Sequence, residues 1–389
     1  MRQKPSVLII AFALILILGG LVIVYKNPIT GTLRKDIPII NDIIPQNEVV
    51  GFLPYWLSSK AQTDYSQYVN TITYFSLSMN NDGTIQKFTK PGQGEPGYVS
   101  LQNGKIDQFL QSAKNNRQKL SLAIFDGSDK NITALLKDPV LSANNLTNDV
   151  IPIMQNYGFT DLNLDVEQVS DASPEARMKF VQFVQQVKNN LNTAKAGTLS
   201  TDISAIAFVR DKNLSNPAAL APIVDKIILM AYDYHSTISS VTGPVAPGLG
   251  AGTVSEFDTD SAIQAALKIM PAKKLILGIP VYGYEWETIG QVPRSAVIPG
   301  TSLIISNQRA EDLLASCATC SAQFDATDKE AHIIYKTDSG TYQQIFYPTK
   351  DSTQFKVDLA NQYSLGGIAI WALGYEGKTI LTPLSGYQN

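Results

Sequence analysis

The chain has 389 residues, of which 44% are hydrophobic and 17% are charged, as is typical of a globular protein with a large core. A net charge of -3 and a pI near 5.5 give no electrostatic basis for binding nucleic acid. Only two His and two Cys are present, which excludes a Cys-rich zinc site and nearly excludes a His-rich metal site. We therefore expect no nucleic-acid partner, no metal and no other cofactor.

The first predicted element is a transmembrane helix. The uncharged apolar run from Val7 to Tyr25 is about long enough to span the hydrocarbon core of a bilayer. A shorter apolar region and a small-x-small site would indicate a signal peptide, and cleavage stays an alternative. We expect a cytoplasmic tip and anchor over 1–26, a proline-broken linker over 27–47, and the body at 48–389. The prediction is a single-pass protein of the cell membrane whose body lies outside the cytoplasm, with the oligomeric state left open.

Eight apolar, β-branched runs follow along the body, and helical patterns lie between most of them. Strands that alternate with helices predict parallel βαβ units, and eight such units predict a (β/α)8 TIM barrel. The runs are VVGFLP (from Val49), TITYFSL (Thr71), KLSLAIF (Lys119), DLNLDV (Asp161), GTLSTDI (Gly197), KIILMAY (Lys226), KLILGIPVYG (Lys274) and GGIAIWAL (Gly366).

One connection is much longer than a barrel helix requires. Strand and helix signals at about 287–347 predict a small α+β insertion between strand 7 and helix 8. This insertion contains Cys317 and Cys320, spaced as CATC after a helical segment. Outside the cytoplasm a disulfide is the first interpretation of this pair, with free thiols and metal binding as alternatives.

Carboxylates interrupt the fourth run, GFTDLNLDVEQVS. Because side chains alternate along a strand, Asp161, Asn163, Asp165 and Glu167 share one face. This pattern fits a solvated strand face as well as an acidic site. In a (β/α)8 barrel, however, catalytic groups lie at the C-terminal ends of strands, where Asp165 and Glu167 would be.

The chain resembles glycoside hydrolase family 18, the chitinase-like barrels. TDLNLDVE matches the fourth-strand signature Asp-Gly-x-Asp-x-Asp-x-Glu at Asp165 and Glu167, but Thr160, Asp161 and Asn163 depart from it. MAYDYH, GIPVYGYEW and GGIAIWALG are similar to the sixth-, seventh- and eighth-strand blocks of the family. The Asn and the WALG ending are closer to the bacterial spore-cortex and germination glucosaminidases, which favours a peptidoglycan-like substrate over chitin.

The resemblance implies substrate-assisted, retaining hydrolysis of β-1,4-linked N-acetylglucosamine glycans, in which the substrate's acetamido oxygen attacks C1. Glu167 would be the general acid and then the base, and Asp165 would orient the acetamido group and stabilise its positive charge. Tyr232 would donate to the acetamido carbonyl oxygen, and Asp233 would contact the sugar. Asn163 is expected in the same site, where a neutral amide would avoid raising the pKa of Asp165.

Aromatic residues complete the predicted binding site, although packing in the core is an alternative for each of them. The resemblance places Trp371 under the sugar, while Phe52, Tyr55 and Trp56 follow the first strand and Tyr282 follows the seventh. The alternative function is a chitolectin-like protein that binds N-acetylated glycans without cleaving them. A divalent-metal enzyme is a weaker third hypothesis.

Overall fold

The computed structural model describes residues 47–388. Strands are numbered in chain order, and eight of those in this region are parallel and belong to one sheet. These are β1 (Glu48–Pro54), β2 (Thr71–Ser78), β5 (Lys119–Asp126), β6 (Asp161–Val166), β7 (Thr198–Ser204), β8 (Lys226–Met230), β9 (Leu275–Pro280) and β15 (Gly367–Trp371). The sheet closes in the order β1-β15-β9-β8-β7-β6-β5-β2. The predicted barrel is confirmed, and each predicted run overlaps one barrel strand.

Helices follow most of the barrel strands, and the longest two pack together after β5 and β6. Their N-caps are Asp138 and Ser173, and each has proline at its first position, where no backbone donor is needed. The helices are α1 (Pro96–Gln102), α2 (Asp107–Asn115), α3 (Asp129–Leu135), α4 (Pro139–Tyr157), α5 (Pro174–Ala194), α6 (Pro217–Leu220), α7 (Thr259–Leu267), α8 (Asn307–Ser316), α9 (Lys350–Gln362) and α10 (Leu384–Tyr387).

The strand alternation separates an outer apolar layer from a mixed barrel interior. On β6, Leu162 and Leu164 are fully buried in the core between the barrel and the helices. The interior is apolar on one side, with Phe52, Phe75, Ile228, Ile276 and Ala369 among its residues. Around β5, β6 and β7 it is polar instead, and its side chains are Ser121, Asp161, Asn163, Ser200 and Asp202.

Two smaller sheets lie outside the barrel. β3 (Phe88–Lys90) and β4 (Gln93–Gly94) form a hairpin after β2. The insertion contains β10 (Tyr282–Thr288), β11 (Leu303–Ser306), β12 (Ala322–Phe324), β13 (Ala331–Lys336) and β14 (Tyr342–Tyr347), in the order β11-β10-β14-β13-β12. Its sheet begins at Tyr282, directly after β9 and earlier than the predicted 287. Cys317 and Cys320 are joined by a disulfide after α8.

The predicted anchor at 1–26 lies outside the described residues, as does the linker up to residue 46. Among the helices of residues 47–388, none combines the length and the hydropathy that a membrane span requires.

Candidate active site

A cavity of about 430 Å³ opens at the C-terminal end of the barrel. It brings together five side chains predicted from separate parts of the sequence, namely Asp165, Glu167, Tyr232, Asp233 and Trp371. Tyr55 and Trp56 also line it. Because the strands are parallel, their carboxyl ends meet at one edge, and this geometry assembles the site.

Asp165 and Glu167 occupy different depths of this cavity. Asp165 is on β6 and only 4% exposed, and its Oδ1 atom has no hydrogen-bond partner in the described part of the chain. Glu167 follows β6 and continues its hydrogen bonding with β5, since its backbone N–H donates to the carbonyl oxygen of Asp126 at 2.9 Å. Its side chain is exposed to the cavity. Burial raises the pKa of Asp165 well above its usual range, and the charges of Glu167 and Asp202 raise it further.

The pKa of Glu167 is also raised, first by desolvation and then by the charge of Asp233. A carboxyl group that keeps its proton towards neutral pH can serve as a general acid. The position of Glu167 in the cavity and the upward direction of its pKa shift therefore both suit proton donation to a leaving group.

Asp202, on β7, is a carboxylate of the site that the sequence analysis did not identify. It lines the cavity, is 5% exposed, and accepts a hydrogen bond of 2.7 Å from Nδ2 of Asn163. The prediction that Asn163 spares Asp165 a like charge is therefore wrong, because Asp202 supplies that charge from the next strand. Asn163 itself is fully buried and does not line the cavity.

Asp161 forms the polar floor beneath these groups. Its carboxylate accepts hydrogen bonds from the hydroxyls of Ser121 at 2.7 Å, Ser200 at 2.8 Å and Thr198. Ser200 in turn accepts from Asn163 at 3.2 Å. The unusual Asp161 thus has three internal donors, which satisfy a buried carboxylate without a role in the cavity.

Asp233 is held by two tyrosines of the insertion. Its Oδ1 atom accepts hydrogen bonds from the hydroxyls of Tyr284, at 2.7 Å, and of Tyr282. Its backbone is left-handed, with φ of 59°, a conformation that Asp tolerates better than most residues. Burial raises the pKa of Asp233 and the two tyrosines lower it. Tyr282, predicted to line the site, lies beneath Asp233 instead and does not line the cavity.

Tyr232 is a hydrogen-bond donor beside the carboxylates. Burial raises its pKa, and the charges of Asp202 and Asp165 raise it further. The phenol therefore keeps its proton over the whole physiological pH range, so it can donate to an acceptor in the cavity.

An aromatic wall faces the carboxylates. Trp371, at the end of β15, is partly buried, and its ring centroid lies 4.6 Å from that of Phe75 and 6.4 Å from that of Trp56. Phe52 lies behind this wall, 3% exposed and 5.8 Å from Trp371, and does not line the cavity. A wall of aromatic faces with convergent polar groups opposite is the usual composition of a site for an amphipathic small molecule.

The sequence analysis also missed Phe75, Phe125 and Glu95 in the cavity lining. Phe125 is the penultimate residue of β5, so the barrel rule for strand ends would have identified it. Phe75 lies three residues before the end of β2, where that rule is less direct. Glu95 precedes α1 and caps it, accepting from the backbone N–H of Tyr98 at 2.6 Å. No local pattern distinguishes this Glu from any other helix cap.

Neither histidine contacts the carboxylates. Nδ1 of His235 is 2.9 Å from the carbonyl oxygen of Pro244, and His332 stacks on Phe346 in the insertion. Within residues 47–388, no group of three His, Cys, Asp or Glu side chains is arranged to hold a metal ion.

A barrel with an acidic cavity at its C-terminal end and an insertion after strand 7 defines a class of glycoside hydrolase. The family model for glycosyl hydrolases family 18 matches residues 48–376, and the chain belongs to this family. A curated relative is the cortical fragment-lytic enzyme of Bacillus subtilis (strain 168), which is 24% identical over 320 residues. That match covers 81% of this chain and 67% of the relative. In the corresponding enzyme of Bacillus anthracis the match covers 65% of the relative.

Two solved structures have the same fold. The group IV chitinase of Ostrinia furnacalis, in complex with allosamidin, has a TM-score of 0.73 at 20% identity, over 88% of this chain and 98% of that one. The family 18 chitinase of Cycas revoluta, in complex with (GlcNAc)3, has a TM-score of 0.71 at 20% identity, over 88% of this chain and 100% of that one.

Proposed function

We propose that this protein is a membrane-anchored glycosidase that hydrolyses β-1,4-linked N-acetylglucosamine glycans by substrate-assisted, retaining catalysis. The observation that carries the proposal is the cavity that joins Glu167, Asp165, Tyr232 and Asp233 opposite an aromatic wall. A sugar ring has one apolar face and a polar rim, which matches this division of the cavity.

The four polar residues divide the reaction between them. Glu167 protonates the leaving oxygen and later deprotonates the water that completes hydrolysis. Asp165 accepts the acetamido N–H and offsets the positive charge that develops as the acetamido oxygen attacks C1. Tyr232 donates to that oxygen and fixes its approach. Asp233, held by the two tyrosines, binds the sugar and raises the pKa of Glu167.

Two substrate classes fit this chemistry, and the relatives name both. Some are chitinases, and others are cortical fragment-lytic enzymes. We propose peptidoglycan first, because Asn163 and the WALG ending resemble the spore-cortex and germination branch of the family more than the secreted chitinases. The body then faces its substrate only if it lies outside the cytoplasm, which is the orientation we propose for the anchor at Val7–Tyr25.

The test is digestion of chitooligosaccharides and of purified peptidoglycan by the full-length protein in mild detergent, with product masses measured. Release of fragments with a reducing-end N-acetylglucosamine from peptidoglycan, but not from chitooligosaccharides, would support the first substrate. Cleavage of chitooligosaccharides alone would replace it with chitin. Tight binding of either glycan without any product would establish the non-catalytic binder instead. A chelator should not change the rate.

A further inference from the structure

The cavity contains two carboxylates that the mechanism above does not use, Glu95 and Asp202. Glu95 caps α1, whereas the surroundings of Asp202 are unusual. In the family signature the middle position of the fourth strand is Asp, whereas this chain has Asn163 there. The amide of Asn163 donates to Asp202, a carboxylate on the neighbouring strand. The second buried charge is therefore present in the site, but it comes from β7 instead of β6.

The strand register places Asp165 and Asp202 side by side. Leu164 on β6 pairs with Thr201 on β7, and the next residue of each strand is one of the two aspartates. Neighbouring parallel strands lie about 4.8 Å apart, so these carboxylates are close neighbours in the barrel. Both line the same cavity and both are at most 5% exposed.

Two buried carboxylates at such a separation do not both ionise readily, because within residues 47–388 no basic group offsets the charge of either. Lys226, the basic side chain that acts on Asp161 beneath them, forms an ion pair with Glu48. Asp165 and Asn163 each have a buried side-chain oxygen, Oδ1, without a hydrogen-bond partner among residues 47–388. Oxygens buried in this way are acceptors, and a proton carried by the neighbouring Asp202 can satisfy Oδ1 of Asp165.

The other titratable groups that act on the pair are all acids or phenols. Asp161 lies beneath Asp202. Glu167 and Asp233 are at the cavity mouth, and Tyr232 follows the end of β8. None of them supplies a positive charge. The field around the two aspartates therefore favours retention of a proton.

We infer that Asp165 and Asp202 form a pair that carries one proton between them. This inference rests on the proposed function. When the acetamido N–H of the substrate arrives at Asp165, the shared proton passes to Asp202, so Asp165 meets the substrate as a carboxylate and no proton leaves the site. Asp202 is a positioning residue in this scheme, acting through Asp165.

The experiment moves the carboxylate between strands and measures the pH dependence of kcat/KM on an N-acetylated oligosaccharide. Asp202→Asn keeps the shape but removes the neighbouring charge, so Asp165 should ionise at lower pH. The acid limb of the profile should move down by about one pH unit or more, as for strongly interacting carboxylates. Asn163→Asp adds a third carboxylate and should move the same limb up.

The double variant Asn163→Asp with Asp202→Asn restores two carboxylates and should return the limb to its original position. Asp126→Asn is the matched control, since Asp126 is also a buried carboxylate with a raised pKa but does not line the cavity. Its acid limb should not move. A profile that stays in place in both single variants, or a double variant that merely adds their defects, would overturn the pair.

The shared proton of Asp165 and Asp202 can be tested independently of the proposed function. If the unmodified protein cleaves no N-acetylated glycan, the function fails, and the free energy of unfolding then tests the pair. When a carboxyl pKa is raised in the folded protein, the free energy of unfolding falls as the pH rises above the pKa of that group in the unfolded chain. Asp202→Asn should therefore be more stable than the unmodified protein at pH 7 and equal to it near pH 3. Equal pH dependence of both proteins would refute the shared proton.

Discussion

Replacement of Glu167 with Gln should separate catalysis from folding and binding. The side chain of Glu167 makes no hydrogen bond to another residue in the described part of the chain, so the amide breaks no internal contact. It loses only the proton that the acid would transfer. General acid catalysis contributes roughly a hundredfold to ten-thousandfold, so turnover should fall by that factor, which is about 3–5.5 kcal/mol of activation free energy.

The same variant should not be less stable. The pKa of Glu167 in the folded protein is raised by burial and by Asp233, so ionisation of this residue destabilises the fold above the unfolded value of 4.5. Gln removes that charge from beside Asp165 and Asp233. The melting temperature at pH 7 should therefore be equal or higher, and any gain should vanish at pH values where Glu is protonated in both states.

The measurement pairs turnover of an N-acetylated oligosaccharide with calorimetric titration of the same ligand and a thermal melt. The expected combination is a large loss of kcat, retained affinity and retained stability. Asp165→Asn should also reduce kcat strongly, but for lack of the charge that offsets the cation. Turnover of Glu167→Gln near the original rate would refute the acid assignment, and an activity loss that tracks a lower melting temperature would show a structural effect instead.

Three further predictions concern stability and location. Burial raises the pKa of Asp126 to about 6, so the free energy of unfolding should decrease as the pH rises from about 4 to 6. Asp126→Asn should therefore gain up to about 3 kcal/mol of unfolding free energy at pH 7 but nothing at pH 3, as measured by urea denaturation. Lys356 is 1% exposed, and its Nζ atom lies 3.6 Å from Oε1 of the buried Glu330. Lys356→Met should therefore lower the free energy of unfolding by about 3–5 kcal/mol, because it leaves a buried charge unpaired, whereas the double variant with Glu330→Gln should lower it less in the same assay. If Val7–Tyr25 is an uncleaved anchor, the protein should stay with membranes in high salt and keep its original N-terminus by mass spectrometry, and a soluble form that starts near residue 27 would contradict this.

The barrel could be predicted because its signals are local. Each strand is a short apolar run, and the alternation of DLNLDV already assigned Leu162 and Leu164 to one face and Asp165 to the other. The parallel arrangement then fixed which strand ends meet. Trp371 and Tyr232 were instead identified through the resemblance to the family blocks, and the parallel strands place both at the same end of the barrel.

The residues that the sequence analysis missed or misplaced depend on pairing between strands. Asp202 lies beside Asp165 because of the register of β7 against β6. No pattern within the β7 segment STDIS predicts that register. Asn163 was expected to contact substrate, but its amide is directed to Asp202. Tyr282 was expected to line the site, although its hydroxyl supports Asp233 from below. Alternation of polar residues along GTLSTDI was the one available signal for Asp202.

The α+β insertion helps to position a residue of the cavity. Its first strand continues directly from β9, and two of its tyrosines hold the Asp233 carboxylate. Val245, from the loop after β8, packs with these tyrosines and with Trp286 and Phe346 of the same sheet. A minimal enzyme made by trimming the chain to a bare barrel would therefore lose the groups that orient Asp233. For protein engineering, the insertion and the barrel form a single unit that has to be transplanted whole.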